Sequence, residues 1–280
     1  MTDQSTATAF VPGHVTGFFS AHRTDDPATT GSRGGGLTLS DGVRVRVTPA
    51  ERTRVDLDGR RVEMPPVEYV VGEFDRPAAV SVDTDLPVGA GFGVSGAAAL
   101  GTALACNTVF EAARSENDLI SLAHVAEVVC GTGLGDVVAQ ARGGLPIRVE
   151  PGTPDTGVLD GIPTSARVEY VTFGELSTAE VIEGDTTQLT RAGETALSAL
   201  RAEPTLPNLL RCSRQFAVDA GLLVPEVEDA IDDVLDHGGE AAMAMLGRSV
   251  FAVGTGLSDA GYEPRVCETY SSGAHLCGPQ

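Results

Sequence analysis

The amino-acid sequence predicts an α+β fold, because strand-like and helix-like patterns occupy different stretches of the chain. Val43, Val45 and Val47 alternate with arginines, as in a strand that has one buried and one solvated face. Helical patterns fill the middle of the chain, and strands and helices are mixed towards its end. This order, with strands first, helices in the middle and both at the end, is typical of α+β proteins. The 280 residues can bury a large core in one large or two modest domains.

The first half of the chain is expected to begin with strands and to continue into helices. Residues 1–8 are polar, and we expect them to be frayed. The Asp58-Gly59 pair is a turn signal inside a predicted hairpin. Ser115 and Asp118 have the spacing of a helix cap. The predicted elements are a hairpin over 55–62, a strand over 79–85, helices over 95–114, 116–129 and 136–142, and a strand over 145–149.

The second half follows the segment 151–163, which is rich in proline and glycine and is predicted to be a loop. We expect the chain to divide there into two domains, residues 1–155 and residues 156–280. The elements predicted after this loop are a strand over 167–173, helices over 187–202, 207–220 and 225–235, and strands over 249–253 and 265–270.

A glycine-rich loop between the strand 79–85 and the first helix is the most informative segment. Gly89, Gly91 and Gly93 stand at every second position there. A glycine loop that runs into a helix presents unpaired backbone N–H groups and the positive end of the helix dipole. Phosphate is the anion most often bound in this way. The sequence therefore predicts a nucleotide-phosphate site, and the alternative is a tight turn that needs glycine only for packing.

The absence of lysine narrows the chemistry, because all 19 basic residues are arginines. A Walker A loop, a protein kinase and Schiff-base catalysis each require a lysine. The residues Gly91–Gly96 also match the Gly-x-Gly-x-x-Gly pattern of dinucleotide-binding proteins. Glu111, about twenty positions on, falls at the end of a predicted helix and not after a second strand, which disfavours that alternative.

Three segments carry a resemblance to a known family. The loop 87–97, with the pattern Pro-x-Gly-x-Gly-Phe-Gly-x-Ser-x-Ala, resembles the ATP-phosphate loop of the GHMP kinases. Residues 12–19 resemble the first motif of that superfamily in the form found in archaeal pantoate kinases. Residues 131–144 resemble the loop and short helix that carry its active-site aspartate. The segment 243–251 is the expected place of its last glycine-rich motif, although it contains one glycine.

The resemblance implies a fold and an activity. The implied fold has an N-terminal domain like ribosomal S5 domain 2 and a C-terminal ferredoxin-like domain. The implied activity is the ATP-dependent phosphorylation of a small molecule, pantoate, to 4-phosphopantoate for coenzyme A synthesis. Other acceptors of this superfamily (mevalonate, homoserine or a sugar) remain open, as does a nucleotide-binding module without catalysis.

The same resemblance assigns the ATP site and the reacting groups. Asp136 is implied to be the catalytic carboxylate, and Glu127 to be a ligand of Mg²⁺. The Ser95 hydroxyl could bind a phosphate oxygen or Mg²⁺, and its structural alternative is an ordinary helix N-cap. The residues expected to hold ATP are Pro87, Gly89, Gly91, Phe92, Gly93, Ser95, Gly96 and Ala97.

Four residues are expected to contact the acceptor. Arg148 is the candidate for the acceptor carboxylate, because a guanidinium matches both carboxylate oxygens. His124 lies one helical turn before Glu127, and its alternative is a packed helix histidine. Thr178 is implied by the resemblance, and Arg33 is a predicted loop arginine that could assist an anion. His14 is expected to be structural.

The cysteines and the hydropathy of the chain indicate the cellular environment that we expect. The five cysteines are scattered and include no C-x-x-C pair, which favours reduced thiols over a zinc site and leaves a Cys267–Cys277 disulfide open. No leader-like segment opens the chain and no apolar run could span a bilayer, so we expect a cytoplasmic protein. The sequence leaves open whether the chain forms a homodimer.

The large excess of acidic residues predicts that the stability of the fold depends on salt. The net charge of −20 argues against nucleic acids and anionic membranes as partners. Acidity without lysine resembles the proteins of salt-in halophiles, and molar KCl screens charges beyond about 3 Å. We therefore expect the free energy of unfolding to rise with KCl. Denaturant titrations in dilute buffer and in molar KCl measure this, and equal stability in both would contradict it.

Overall fold

The computed structural model describes residues 6–174 and 186–278. The strands are β1 (Ala7–His22), β2 (Gly31–Pro49), β3 (Arg54–Leu57), β4 (Arg60–Val62), β5 (Ala78–Thr84), β6 (Leu145–Glu150), β7 (Val158–Ile162), β8 (Arg167–Thr172), β9 (Glu240–Ala244), β10 (Ser249–Val253), β11 (Arg265–Glu268) and β12 (His275–Leu276). The helices are α1 (Pro65–Gly72), α2 (Val94–Val109), α3 (Glu116–Cys130), α4 (Asp136–Arg142), α5 (Thr187–Ala202), α6 (Leu206–Asp219), α7 (Pro225–Asp236) and α8 (Gly256–Asp259).

The first sheet is built on the long antiparallel ribbon of β1 and β2. Its strand order is β12-β1-β2-β5-β3-β4, and β6 pairs with β2 while β7 pairs with β6. The start of β2 pairs with β6 through Gly34 opposite Arg148, whereas its later part pairs with β5. Gly34 has φ 156°, and a Cβ there would come within 2.2 Å of the Phe18 carbonyl oxygen. The glycines of β2 therefore allow the close approach of β1 and β2 at the point where β6 pairs with β2.

The second sheet has the ferredoxin-like order. Its four antiparallel strands stand as β11-β8-β10-β9. Helices α5, α6 and α7 connect the first of them in sequence, β8, to β9, and α8 follows β10. In chain order the strands are therefore arranged 4-1-3-2, as in split β-α-β units. The α+β prediction and the ferredoxin-like C-terminal sheet are confirmed.

Helix α2 lies directly on the first sheet, because its residues are small. A Cβ on Gly101 would come within 2.6 Å of Val45 Cγ2, so the helix backbone touches the strand side chains. Helices α1 and α3 pack against α2, and α5 packs against β1. The buried apolar side chains form one continuous core across both sheets. No helix within the described residues is long and apolar enough to cross a membrane.

The short helix α4 is held by residues that come much later in the chain. The backbone N–H of Gly144, just after α4, donates to the Tyr270 carbonyl oxygen at 2.7 Å, and Ala274 N–H donates to the Gln140 carbonyl oxygen at 3.0 Å. A Cβ on Gly273 would come within 2.1 Å of the Ala141 oxygen. The segment before β12 therefore fixes the end of α4.

Several predicted boundaries were wrong. The first helix ends at Val109 and not at 114, because Glu111 and Ala113 have positive φ values of 53° and 54°. The predicted loop 151–163 contains strand β7, and β1 already includes residues 7 and 8 of the segment expected to be frayed. The division near residue 155 remains a prediction, and β7 and β12, which follow it, both pair within the first sheet.

Candidate active site

The glycine loop after β5 has the backbone conformation that its sequence predicts. Gly89, Gly91 and Gly93 have φ values of 73°, 90° and 66°, which lie in the region that favours glycine. Gly93 is also the N-cap residue of α2, and that cap has no side-chain hydrogen bond. The first N–H groups of α2 therefore have neither an intrahelical partner nor a capping side chain. Such an end of a helix can accept a phosphate.

Ser95 does not cap the helix, because its hydroxyl binds a carboxylate on the neighbouring helix. Ser95 Oγ donates to Glu127 Oε1 at 2.6 Å, and Thr132 Oγ1 donates to the same oxygen at 2.8 Å. The backbone leaves room for the other oxygen, since a Cβ on Gly133 would come within 2.4 Å of Glu127 Oε2. The ordinary N-cap alternative for Ser95 is therefore wrong.

The Glu127 carboxyl is buried, and burial raises its pKa to about 7. The hydrogen bonds from Ser95 and Thr132 lower the pKa in part, and the negative charge of Asp136 raises it. Glu127 therefore changes its charge near neutral pH in the free protein. A cation beside it would favour the ionised form.

Because its pKa is raised, the ionised form of Glu127 lowers the free energy of unfolding above neutral pH. The unfolded chain ionises Glu127 near pH 4.5, whereas the folded chain keeps its proton up to about pH 7. The contribution of Glu127 to the free energy of unfolding is therefore constant below pH 4.5. It falls by about 3 kcal/mol as the pH rises from 4.5 to 7. We expect Glu127→Gln to be more stable than the parent at pH 8 and to lose this part of the pH dependence.

Denaturant unfolding at pH 5 and pH 8 in constant KCl measures that difference. The matched control is Glu116→Gln, which changes an exposed glutamate at the start of the same helix. Parallel pH profiles for the parent and Glu127→Gln would show that Glu127 is not the titrating group.

Asp136 is paired with a buried histidine from β1. His14 Nδ1 lies 2.7 Å from Asp136 Oδ1, and the His14 side chain is fully buried while that of Asp136 is 23% exposed. Burial lowers the pKa of His14, so its neutral ring donates Nδ1–H to the carboxylate. Burial alone would raise the pKa of Asp136, but the hydrogen bond from His14 and the charge of Arg148 outweigh it and lower the pKa. Asp136 is therefore an ionised carboxylate with one fixed oxygen.

Arg148 brings unused hydrogen-bond donors to the same place. Its side chain is 2% exposed, and its Nε and Nη1 atoms have no hydrogen-bond partner within the described residues. A Cβ on Gly135 would come within 2.7 Å of Arg148 Nε, so the loop before α4 passes directly over the guanidinium. Buried donors without a partner are rare and costly, so these donors are available to a ligand or to a water.

Asp136 and Arg148 line one narrow cavity. The free space inside it is about 20 Å³, which is the room that one water needs. The cavity combines charged, hydroxyl and apolar side chains. Its lining residues are Thr16, Phe19, Ser32, Leu134, Gly135, Asp136, Arg148 and Leu246.

The other predicted acceptor residues lie outside this lining. His124 is buried in α3, and its Nε2 atom is 2.8 Å from the Thr30 carbonyl oxygen, so it fixes the β1–β2 connection. Arg33 lies in strand β2 and not in a loop, which corrects the prediction. Its guanidinium forms ion pairs with Glu150 at 2.5 Å and with Glu194 at 3.5 Å. The predicted residue Thr178 lies outside the described residues.

Sequence reasoning missed several residues of the site. His14, which was expected to be structural, contacts Asp136. Thr16, Ser32 and Leu246 line the cavity without having been singled out. The signal for His14 and Thr16 was available, since both lie in the motif 12–19 that also contains two glycines and two phenylalanines. Leu246 lies in the segment 243–251.

Comparisons of the sequence with known proteins find one family model and several curated relatives. The family described as GHMP kinases N terminal domain matches residues 66–144. The chain is 36% identical to a pantoate kinase of Thermococcus kodakarensis over 263 residues, which is 88% of this chain and 86% of that protein. It is 32% identical to a pantoate kinase of Methanocaldococcus jannaschii over 87% of this chain and 91% of that protein.

Solved structures share the fold. A phosphotransferase related to the CoA biosynthesis pathway matches with a TM-score of 0.86 and 31% identity over 97% of this chain and 98% of its own. A protein solved in complex with MVAPP, AMPPCP and magnesium matches with a TM-score of 0.74 and 16% identity over 98% of this chain and 99% of its own. That second likeness concerns the fold alone.

Proposed function

The chain belongs to the GHMP kinases, alongside the pantoate kinases, and from that premise we propose that it transfers the γ-phosphoryl group of ATP to (R)-pantoate. The product is (R)-4-phosphopantoate, an intermediate of coenzyme A synthesis. The observation that carries the proposal is one cavity lined by both the Asp136 carboxylate and Arg148, two of whose nitrogens have no partner within the described residues. A carboxylic acid with a hydroxyl at its other end matches this pair of charges.

We propose that Arg148 binds the carboxylate of the acceptor. Two of its nitrogens have no partner within the described residues, and the side chain is held in place by burial. A guanidinium binds a carboxylate with charge-assisted hydrogen bonds. His124 and Arg33 stay predictions as acceptor contacts, as does Thr178. In the free protein His124 is hydrogen-bonded to Thr30, and the charge of Arg33 is neutralised by Glu150 and Glu194.

We propose that Asp136 accepts the proton of the acceptor hydroxyl. The hydroxyl oxygen forms a bond to the γ-phosphorus, the bond from that phosphorus to the bridging oxygen breaks, and the proton passes to the free Asp136 oxygen. His14 holds the other carboxylate oxygen at 2.7 Å, so the carboxylate cannot turn away from the cavity. Phosphoryl transfer depends mainly on such positioning and on charge stabilisation.

The glycine loop and its neighbours are proposed to bind the nucleotide with Mg²⁺. The N–H groups at the start of α2 would bind the phosphates of ATP. Ser95 and Glu127 fit Mg²⁺, because this ion prefers one or two oxygen ligands from the protein besides phosphate and water. The raised pKa of Glu127 supports the fit, since a buried carboxyl of that kind lacks a cation. Bound Mg²⁺ would neutralise phosphate charge.

An acceptor panel tests the proposal. The purified chain is incubated with ATP and MgCl₂ in high KCl, and ADP release is measured with pantoate, mevalonate, homoserine and galactose. We expect ADP release only with (R)-pantoate, and mass spectrometry should show one added phosphoryl group. Faster release with another acceptor would reassign the substrate. ATP binding without any acceptor-dependent release would indicate a nucleotide-binding module.

A further inference from the structure

We propose that Leu246 selects the acceptor by contacting its geminal dimethyl group, an inference that rests on the proposed function. Pantoate has a carboxylate at one end, a hydroxyl at the other, and a carbon with two methyl groups between them. If Arg148 binds the carboxylate and Asp136 the terminal hydroxyl, the dimethyl carbon must lie between these two side chains. Because the free space there is only about 20 Å³, the lining side chains must move apart to admit it. The apolar lining of that cavity is supplied by Phe19, Leu134 and Leu246.

Leu246 is the member of this group that lies in a turn of the second sheet. It stands between β9 and β10, whereas Phe19 belongs to β1 and Leu134 to the loop before α4. Phe19 is 3% exposed and its ring lies 5.9 Å from that of Phe216, so it is part of the core. Leu246 is only partly buried against the core. A change at Leu246 can therefore alter the cavity without removing a core side chain.

The backbone of Leu246 is in an unfavourable conformation. Its φ is 64°, in the left-handed region that a leucine rarely adopts. Such conformations persist where the surroundings determine them, and they concentrate at functional sites. A glycine would occupy this position without strain. The presence of a large apolar side chain here indicates that the side chain itself has a function.

Contacts on both sides hold the turn against the active site. Met245 N–H donates to the Thr16 carbonyl oxygen at 2.9 Å, and Ser249 Oγ donates to the Ala90 oxygen at 2.8 Å. A Cβ on Gly247 would come within 1.9 Å of that same Ala90 oxygen. The turn is thus bound to β1 and to the glycine loop, and Leu246 lines the cavity that also contains Asp136 and Arg148. Because the free space of the cavity is smaller than the acceptor, an acceptor bound there must contact the apolar lining.

The test compares two acceptors that differ only in the methyl groups. (R)-Pantoate and (R)-2,4-dihydroxybutanoate have the same carboxylate and hydroxyls, and the second lacks both methyl groups. For the parent chain we expect kcat/KM to favour pantoate by about 10- to 200-fold or more, as small apolar groups in a pocket do. In Leu246→Ala we expect this ratio to fall about tenfold, while the KM for ATP stays within about twofold.

Two further variants keep the test decisive. Leu222→Ala removes another partly buried leucine, in the segment after α6, and should leave the ratio unchanged. Leu246→Gly removes the side chain and also relieves the positive φ, so it should fold at least as well as Leu246→Ala and show the same loss of preference. An unchanged ratio in both Leu246 variants would overturn the inference. A parent chain that phosphorylates neither acid would instead overturn the proposed function.

Discussion

Asp136→Asn is expected to lower kcat by about 10²- to 10⁴-fold while ATP binds as before. Asparagine keeps an oxygen that can accept the hydrogen bond from His14, so the side chain should stay in place. It cannot take the proton of the acceptor hydroxyl. ATP affinity should change little, because the phosphate contacts are proposed to come from the glycine loop and the start of α2. Steady-state kinetics and calorimetric titration with ATP measure the two quantities.

The control for this variant is Asp155→Asn, which changes an exposed aspartate in the segment between β6 and β7. Its kcat should equal that of the parent chain. Full turnover by Asp136→Asn would remove Asp136 from the mechanism. A loss of ATP binding together with activity would mean that Asp136 supports the nucleotide site instead.

Arg148→Met is expected to raise the KM for pantoate by about 100-fold or more, because loss of one partner of a buried charged pair costs about 2–5 kcal/mol. The KM for ATP should change by no more than about threefold. Methionine approximates the length and volume of the side chain, so the cavity should keep its shape. Initial rates over a matrix of both substrate concentrations separate the two constants. Equal effects on both substrates would contradict a carboxylate contact.

The same substitution should leave the free protein at least as stable as its parent. Arg148 is buried with two nitrogens that have no hydrogen-bond partner within the described residues, and such groups are costly. Arg142→Met is the matched control, because Arg142 is an exposed arginine at the end of α4. Denaturant unfolding of both variants measures the difference. A large loss of stability in Arg148→Met would indicate that this arginine supports the fold.

The sequence predicts the glycine loop well, because its conformation is determined locally. Gly89, Gly91 and Gly93 need positive φ values, and a helix follows at once. The same argument applies to the cap of α3, where Ser115 and Asp118 form the predicted reciprocal hydrogen bonds. The conformation of such a loop or cap depends on a few neighbouring residues. It can therefore be predicted without knowledge of the remaining fold.

Contacts between distant segments could not be predicted in this way. His14 and Asp136 are separated by 122 positions, and their contact depends on how α4 packs against β1. The glycines 34–36 predicted a loop around Arg33, since glycine usually indicates a loop. Here they permit β1 and β2 to cross closely, so Arg33 lies in a strand and is neutralised by Glu150 and Glu194.

The attachment of α4 to residues near Tyr270 and Ala274 has a consequence for synthesis on the ribosome. The glycine loop and α2 emerge early, but the bonds that fix the helix of Asp136 form only after residue 274 has left the exit tunnel. A nascent chain can therefore collapse around α2 long before it can catalyse. Competence for the proposed phosphoryl transfer therefore requires that residues 270–274 have packed against α4, and not only that the glycine loop and α2 have folded.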